Sequence, residues 1–544
     1  MAKRISSRLP TWPATGRIPG PLSDSSFTRV RSMKLLRTCS RAGLLLTLAP
    51  ALAWSQALTN LTSLYVSYAT RRVNANPTGE LKARLDSVDR ELFAANRLGR
   101  MGEVRRLLAK GTVLLSGKPW TDVADFTTSL LLRTDRLVVE SQKPYTVRLE
   151  QLYSPAIELT RPLSAHATLV SRPVGAAATA QPVTVVKDLG SYEGVSRDLR
   201  ESPFAMEFDL HDIADGRYVV VVDVADSARA LGSASLGVVV RKGLDEAVSR
   251  LEGEAMRAPQ ATRAEILYPV DRMRNVNRGK LELRTLDADR DFANADTVVA
   301  AVKAGKDPFL GRTGDLKRHY LLDAANEVMP YRMLVPSSYT ASRAFPLILA
   351  LHGLGGTEDS FFDAYGKKLP QLAEQRGYII AAPLGYRVDG GYGWGLGTPP
   401  ADPSVRRNTE LSEMDVMQVL AQVRKHYNID DSRIYLMGHS MGAIGTWKIA
   451  PKYPELWAAL GAFSGQGAPP TVEKMRSIPA FVVHGDADPT VNVAGSRAMV
   501  AAMKALSVDV KYVEVPGGNH GNVVEPNLAG MFDFFDAHTK SGRP

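Results

Sequence analysis

A chain of 544 residues is too long for one compact unit and is expected to fold as several domains. With 44% hydrophobic and 23% charged residues it has ordinary globular chemistry, which excludes a disordered, collagenous or multi-span membrane protein. The net charge of +10 would suit a nucleic-acid partner, but nine Lys/Arg against Asp24 alone in residues 1–57 account for +8 and leave +2 elsewhere; a body so near neutrality offers no general phosphate-binding surface.

Residues 1–57 read as an N-terminal extension and export signal. Lys34, Arg37 and Arg41 follow Met33 and precede the apolar run Ala42–Ala53, which ends in the small-residue spacings Ala51-x-Ala53 and Ser55-x-Ala57. About a dozen apolar residues are too few to span a bilayer, so the mature chain is expected to be secreted or periplasmic, with an uncleaved N-terminal anchor as the alternative. Residues 1–32 resemble neither a fold nor a signal, which leaves Met1 or Met33 as the start. Cys39, the only cysteine, lies in this leader. A mature chain without it would have no disulfide, no thiolate nucleophile and no cysteine metal site.

Residues 58–124 carry a helical period: Leu81, Leu85, Val88 and Leu92 recur on one face behind Thr78 as a cap, and Leu98, Val104, Leu107 and Leu108 continue it past Gly99 and Gly102. Over 125–242 the period becomes two. Short runs at 130–132, 137–139, 145–152, 167–170, 204–210, 218–224 and 236–240 are separated by Gly, Pro and Asp turns, which predicts an immunoglobulin-like β-sandwich. Residues 243–309 are helical and charged, a connector packed on a neighbour. From 310 to 544, strand candidates at 331–335, 347–351, 378–382, 434–437, 457–463, 480–483 and 508–515 alternate with helical stretches such as 411–427. This predicts an α/β fold with a mostly parallel sheet covered on both faces.

Within that last region Gly438-His439-Ser440-Met441-Gly442 is a G-x-S-x-G motif, weak in isolation. Its setting strengthens it: it follows the strand-like run 433–437 and opens the helical run 443–450, as a nucleophile elbow requires. A serine hydroxyl is a poor nucleophile at neutral pH, so a base and an orienting acid must follow. The later strands are followed by His484-Gly-Asp-Ala-Asp488-Pro-Thr-Val491 and by Pro516-Gly-Gly-Asn-His520-Gly521. Both stand at carboxyl ends of strands, where open α/β sheets bind ligands. Asp488 is assigned as the acid and His520 as the base. Asp486 is the rival acid; Asp488 is preferred because it lies further out and is followed by Pro-Thr-Val, which can turn it inward. His439 and His484 are expected to be structural. The oxyanion donors are expected to be the backbone N–H groups of Met441 and of Leu354, in the loop His352-Gly-Leu-Gly-Gly356. Tyr392 and Trp394, in the loop Gly390-Gly-Tyr-Gly-Trp-Gly395, are expected to line the substrate pocket.

These residues carry a family resemblance. Leu351-His-Gly-Leu-Gly-Gly356, Met437-Gly-His-Ser-Met-Gly442, Trp447 with Pro451-Lys-Tyr-Pro454, and His484-Gly-Asp-Ala-Asp488 make residues 310–541 similar to secreted serine esterases of the α/β-hydrolase superfamily. The branch is the one holding polyhydroxybutyrate depolymerase-like and feruloyl esterase-like enzymes and related predicted peptidases. The resemblance implies ester hydrolysis through an acyl-enzyme on a small-molecule ester, with no metal or organic cofactor. A prolyl oligopeptidase-like serine peptidase is the nearest alternative, although no propeller blade repeats occur. A non-catalytic binding protein on the same fold is the other. Neither acyl specificity nor oligomeric state is readable from these residues.

Overall fold

The computed structural model describes residues 61–171 and 183–540; the expected signal and Cys39 lie outside them. The chain opens with helices α1 (Leu61–Ala75), α2 (Gly79–Arg97) and α3 (Met101–Leu115). They close on Tyr68, Leu85, Val88, Leu92, Val104, Leu107 and Leu108, the stripe that the 3.6-residue period marks out. Thr78 is the N-cap of α2, but its side chain makes no capping hydrogen bond. A further helix, α4 (Asp122–Ser129), is capped by Thr121, which accepts from Ala124 N–H, and so runs through the boundary expected at 124/125.

Eight strands follow: β1 (Leu130–Arg133), β2 (Val138–Glu140), β3 (Tyr145–Gln151), β4 (Leu163–Ser171), β5 (Thr184–Val195), β6 (Phe204–Phe208), β7 (Gly216–Asp226) and β8 (Ala230–Arg241). They form a three-stranded sheet, β1-β3-β6, and a five-stranded sheet, β2-β8-β7-β4-β5. All pairings are antiparallel except β2 with β8. Val147, Leu149 and Met206 from one sheet share an apolar core with Leu169, Val220, Val222 and Val238 from the other. Strand β5 escapes sequence reading because only Val195 in it is buried, so no apolar alternation betrays it.

Helices α5 (Leu244–Arg257), α6 (Gln260–Asn277) and α7 (Ala288–Lys303) add Leu251, Ile266, Val270 and Phe292 to that same core. They are therefore part of its packing rather than a spacer. The described residues all belong to one compact unit.

The remaining strands are β9 (Gly314–Leu322), β10 (Glu327–Val335), β11 (Phe345–Leu351), β12 (Ile379–Pro383), β13 (Ile429–His439), β14 (Ala459–Phe463), β15 (Ala480–Gly485) and β16 (Val510–Val515). Between and after them run α8 (Ser360–Asp363), α9 (Lys368–Arg376), α10 (Pro403–His426), α11 (Met441–Ile449), α12 (Ala494–Ala505) and α13 (Val524–Asp536). The sheet order is β16-β15-β14-β13-β11-β12-β10-β9. Only β10 pairs antiparallel, with β9 and β12; the six strands from β12 to β16 are parallel. This is the α/β-hydrolase arrangement.

Alternation across the pleat explains the two layers. Leu347, Leu349 and Leu351 face a core shared with α10, α11 and α12, while Ile348 and Ala350 face one shared with α9 and α13. A strand buried on both faces reads as a continuous apolar run, as β11 does. Strand β9 does not, because Lys317, Arg318 and His319 interrupt it. Its buried Arg318 donates from Nε to Glu265 Oε1 of α6 at 2.7 Å, and His319 Nδ1 meets Glu265 Oε2. A buried carboxylate with two partners ties the helical segment to the edge of the hydrolase sheet. Helix α10 starts eight residues before the apolar stripe that announces it, on Asp402, whose Oδ1 accepts from Ser404 and Val405 N–H. Among the described residues no helix is long and apolar enough to cross a membrane.

Candidate active site

Ser440 occupies the turn between β13 and α11 with φ 57° and ψ −120°, a conformation that L-residues adopt only under constraint. Its N–H donates to Phe463 O at 2.9 Å, and its carbonyl accepts from Ile444 N–H at 3.0 Å. The flanking glycines make the turn possible. A Cβ on Gly442 would stand 1.9 Å from Leu351 O, and one on Gly438 would stand 2.2 Å from the Gly442 carbonyl carbon. Gly442→Ala is therefore expected to cost at least about 3 kcal/mol through overpacking against backbone that cannot yield. A thermal melt of the variant, or its loss from the soluble fraction, checks this; an unchanged Tm refutes it.

The parallel strands bring three loops to one edge of the sheet. Ser440 Oγ lies 2.8 Å from His520 Nε2, and His520 Nδ1 lies 2.7 Å from Asp488 Oδ2. The other carboxylate oxygen accepts from Thr490 N–H at 2.7 Å and Val491 N–H at 3.0 Å. Burial pushes the Asp488 carboxyl up, but the His520 hydrogen bond and these two amides outweigh it and leave the acid below its ordinary range. Asp486 turns elsewhere: it is exposed, and its Oδ1 accepts from Gly517 N–H at 2.7 Å, bracing the loop that carries His520.

The first turn of α11 presents Met441 N–H, and the loop after β11 presents Leu354 N–H. Among the described residues neither donates to a protein acceptor. A helix N-terminus beside the serine adds a favourable dipole for developing negative charge. An imidazole held between a carboxylate and a serine hydroxyl, with two free amides nearby, can deprotonate the serine and hold an oxyanion.

Residues 323–503 match the Esterase family model. Over 147 residues the chain is 30% identical to the bifunctional acetylxylan esterase/xylanase XynS20E of Neocallimastix patriciarum, which is 27% of this chain and 20% of that protein. Over 119 residues it is 34% identical to feruloyl esterase B of Neurospora crassa, 22% of this chain and 38% of the relative. A solved thermostable esterase aligns at 17% identity with a TM-score of 0.37, over 74% of this chain and 99% of its own. The chain thus spans well under half the length of these two curated relatives. The family model and these two relatives support an esterase of the α/β-hydrolase type for the C-terminal region.

Beside Ser440 and His520 opens a cavity of about 570 Å³. Its wall is the segment from Gly353 to Tyr365, including Leu354, Thr357, Asp359 and Asp363. Ion pairs hold that wall from behind: Lys317 reaches Glu358 and Asp359 at 2.6 and 2.9 Å, and Arg332 reaches Asp359 and Asp363 at 3.2 and 2.9 Å. The expected pocket residues need correction. Tyr392 is fully buried, donates from its hydroxyl to His352 O at 3.2 Å and fills the space that Gly385 and Gly445 leave beside its ring. Trp394 is not among the residues lining the cavity; Lys452 Nζ stands 5.7 Å from its ring centroid. The glycine-rich loop folds inward, so its tyrosine supports the His352 loop from beneath instead of meeting substrate.

Sequence reading also missed Tyr365. Its hydroxyl donates to His439 Nδ1 at 2.9 Å, and His439 Nε2–H donates to His520 O at 2.8 Å. Burial pushes His439 down to about 4, so the ring is neutral near pH 7 and this order of donors holds. The expected supporting role of His439 has a definite form: it steadies the backbone of His520. Tyr365 sits at φ 51° in a run of left-handed residues with Gly366 and Lys367, a signal invisible in sequence.

Proposed function

We propose that the protein is a serine carboxylic-ester hydrolase that acts through an acyl-enzyme on small or aromatic esters. The observation that carries this reading is the continuous line from Ser440 Oγ through His520 to Asp488, with contacts of 2.8 and 2.7 Å. Ser440 Oγ attacks the ester carbonyl carbon while His520 Nε2 takes the hydroxyl proton. Asp488 keeps the proton on Nδ1 and stabilises the imidazolium. The tetrahedral oxyanion sits between the Leu354 and Met441 N–H groups. Collapse breaks the bond to the alcohol oxygen, which receives the His520 proton and leaves. A water then gives a proton to His520 and attacks the acyl carbon; the bond to Ser440 Oγ breaks, Oγ takes that proton back from His520, and the carboxylic acid leaves.

The relatives named for acetylxylan and feruloyl esters suit a substrate with a small or aromatic acyl group, and the 570 Å³ cavity accommodates one. The two sheets over 130–241 are read as an immunoglobulin-like sandwich that packs and positions its neighbours. The leader, with its basic cluster and short apolar run, is read as directing export to a secreted or periplasmic location.

Turnover of p-nitrophenyl acetate and methyl ferulate beside a matched peptide amide tests the reaction. Esters are expected to be cleaved at least about a hundredfold faster in kcat/KM, a difference of some 2.7 kcal/mol in transition-state stabilisation. Faster cleavage of the amide would favour the peptidase alternative.

A further inference from the structure

The carboxylate that orients His520 has a second imidazole against it. His484, in β15, is fully buried, and its Nε2 lies 3.2 Å from Asp488 Oδ2, the oxygen that His520 Nδ1 meets at 2.7 Å. Nε2 is also 2.9 Å from Val491 O, and Nδ1 is 2.7 Å from Ser496 Oγ. These partners determine the tautomer. Nε2 faces only a carbonyl and a carboxylate, so it carries hydrogen. Nδ1 faces a hydroxyl that can give or take one, and that hydroxyl also lies 2.8 Å from Gly465 O. One hydroxyl hydrogen has two takers, and either choice leaves Nε2–H in place.

We propose that His484 is a positioning residue for hydrolysis: its buried Nε2–H, donated to Val491 O with Asp488 Oδ2 packed 3.2 Å from the same nitrogen, holds the turn whose Thr490 and Val491 amides anchor the Asp488 carboxylate. The inference rests on the Ser440–His520–Asp488 reading above. Three N–H groups bond Asp488, those of Thr490 and Val491 on Oδ1 and of His520 on Oδ2, and the His484 ring packs against Oδ2. A carboxylate satisfied in this way has one orientation, and that orientation aims His520 Nε2 at Ser440.

The consequence is readable apart from folding: a loosened 488–491 turn lets the carboxylate and His520 drift from Ser440, which lowers kcat and leaves substrate binding in the cavity as it was. The other charged or titratable groups around the pair have their own partners. His439, with its ring centroid 4.9 Å from that of His520, is neutral. Glu514 on β16 is held by Arg497, Asp486 by Gly517 N–H, and Asp359 and Asp363 across the cavity by Arg332.

The test uses the full chain and an aryl ester, with kcat and KM measured from pH 4 to 9 for wild type, His484→Phe and His484→Gln. His484→Phe is expected to lose about tenfold in kcat at unchanged KM. His484→Gln, whose amide N–H can reach Val491 O, is expected to recover most of that loss. A folded His484→Phe with the wild-type kcat, or one whose loss falls on KM, overturns the proposal. Should that variant not fold, ¹⁵N spectra of histidine-labelled wild type decide: a proton on His484 Nε2 at neutral pH supports it, and an unprotonated Nε2 overturns it. A wild type that neither hydrolyses esters nor is labelled by a fluorophosphonate at Ser440 refutes the underlying reading and this inference with it.

Discussion

Ser440→Ala is expected to fold like the wild type and to lose about 10⁴–10⁶ in kcat. Both residues have a Cβ, so the strained turn at φ 57° costs the same in each, and only the Oγ contact to His520 disappears. The two amides and the cavity remain, so residual catalysis comes from substrate binding and oxyanion stabilisation alone. Superimposable melting curves with the activity gone would separate chemistry from folding. Persistent fluorophosphonate labelling in Ser440→Ala would place the nucleophile elsewhere.

Asp488→Asn is expected to lower kcat by about 10⁴, as replacing the triad carboxylate does in serine proteases. An amide can turn its NH₂ toward His520 and trap the tautomer with the proton on Nε2, which cannot accept the serine proton. Asp486→Asn should cost about tenfold or less, because an asparagine carbonyl can still accept from Gly517 N–H. Both changes are nearly isosteric, so a gap between them measures charge at a defined position. Circular dichroism of each variant excludes unfolding. A dead Asp486→Asn beside an active Asp488→Asn would reverse the assignment.

Much of this site was legible in the sequence because its determinants are local. The elbow is two glycines around a serine between a strand and a helix, and each glycine excludes a Cβ that backbone would strike. The parallel strands are near-continuous apolar runs, so their order along the chain also orders the loops holding Ser440, Asp488 and His520. Asp488 could be preferred to Asp486 from the residues after it, although nothing in the sequence says that Asp486 braces the His520 loop.

Tertiary structure alone decided where side chains on irregular segments point. Tyr392 looks like a pocket aromatic by composition; it is buried because Gly385 and Gly445, sixty residues apart, leave a space its ring fills. Strand β9 was hidden because its inward arginine is neutralised by Glu265, a partner fifty-three residues earlier. The cavity wall from 353 to 365, the Tyr365–His439 bond and the approach of His484 to Asp488 likewise depend on contacts between loops. Hydrophobic period and turn chemistry are properties of a few consecutive residues, so the sequence determined the elements that carry a clean period, their order and the motif positions. The direction of a loop side chain depends on which distant groups can satisfy or exclude it, and only the folded chain brings those groups together.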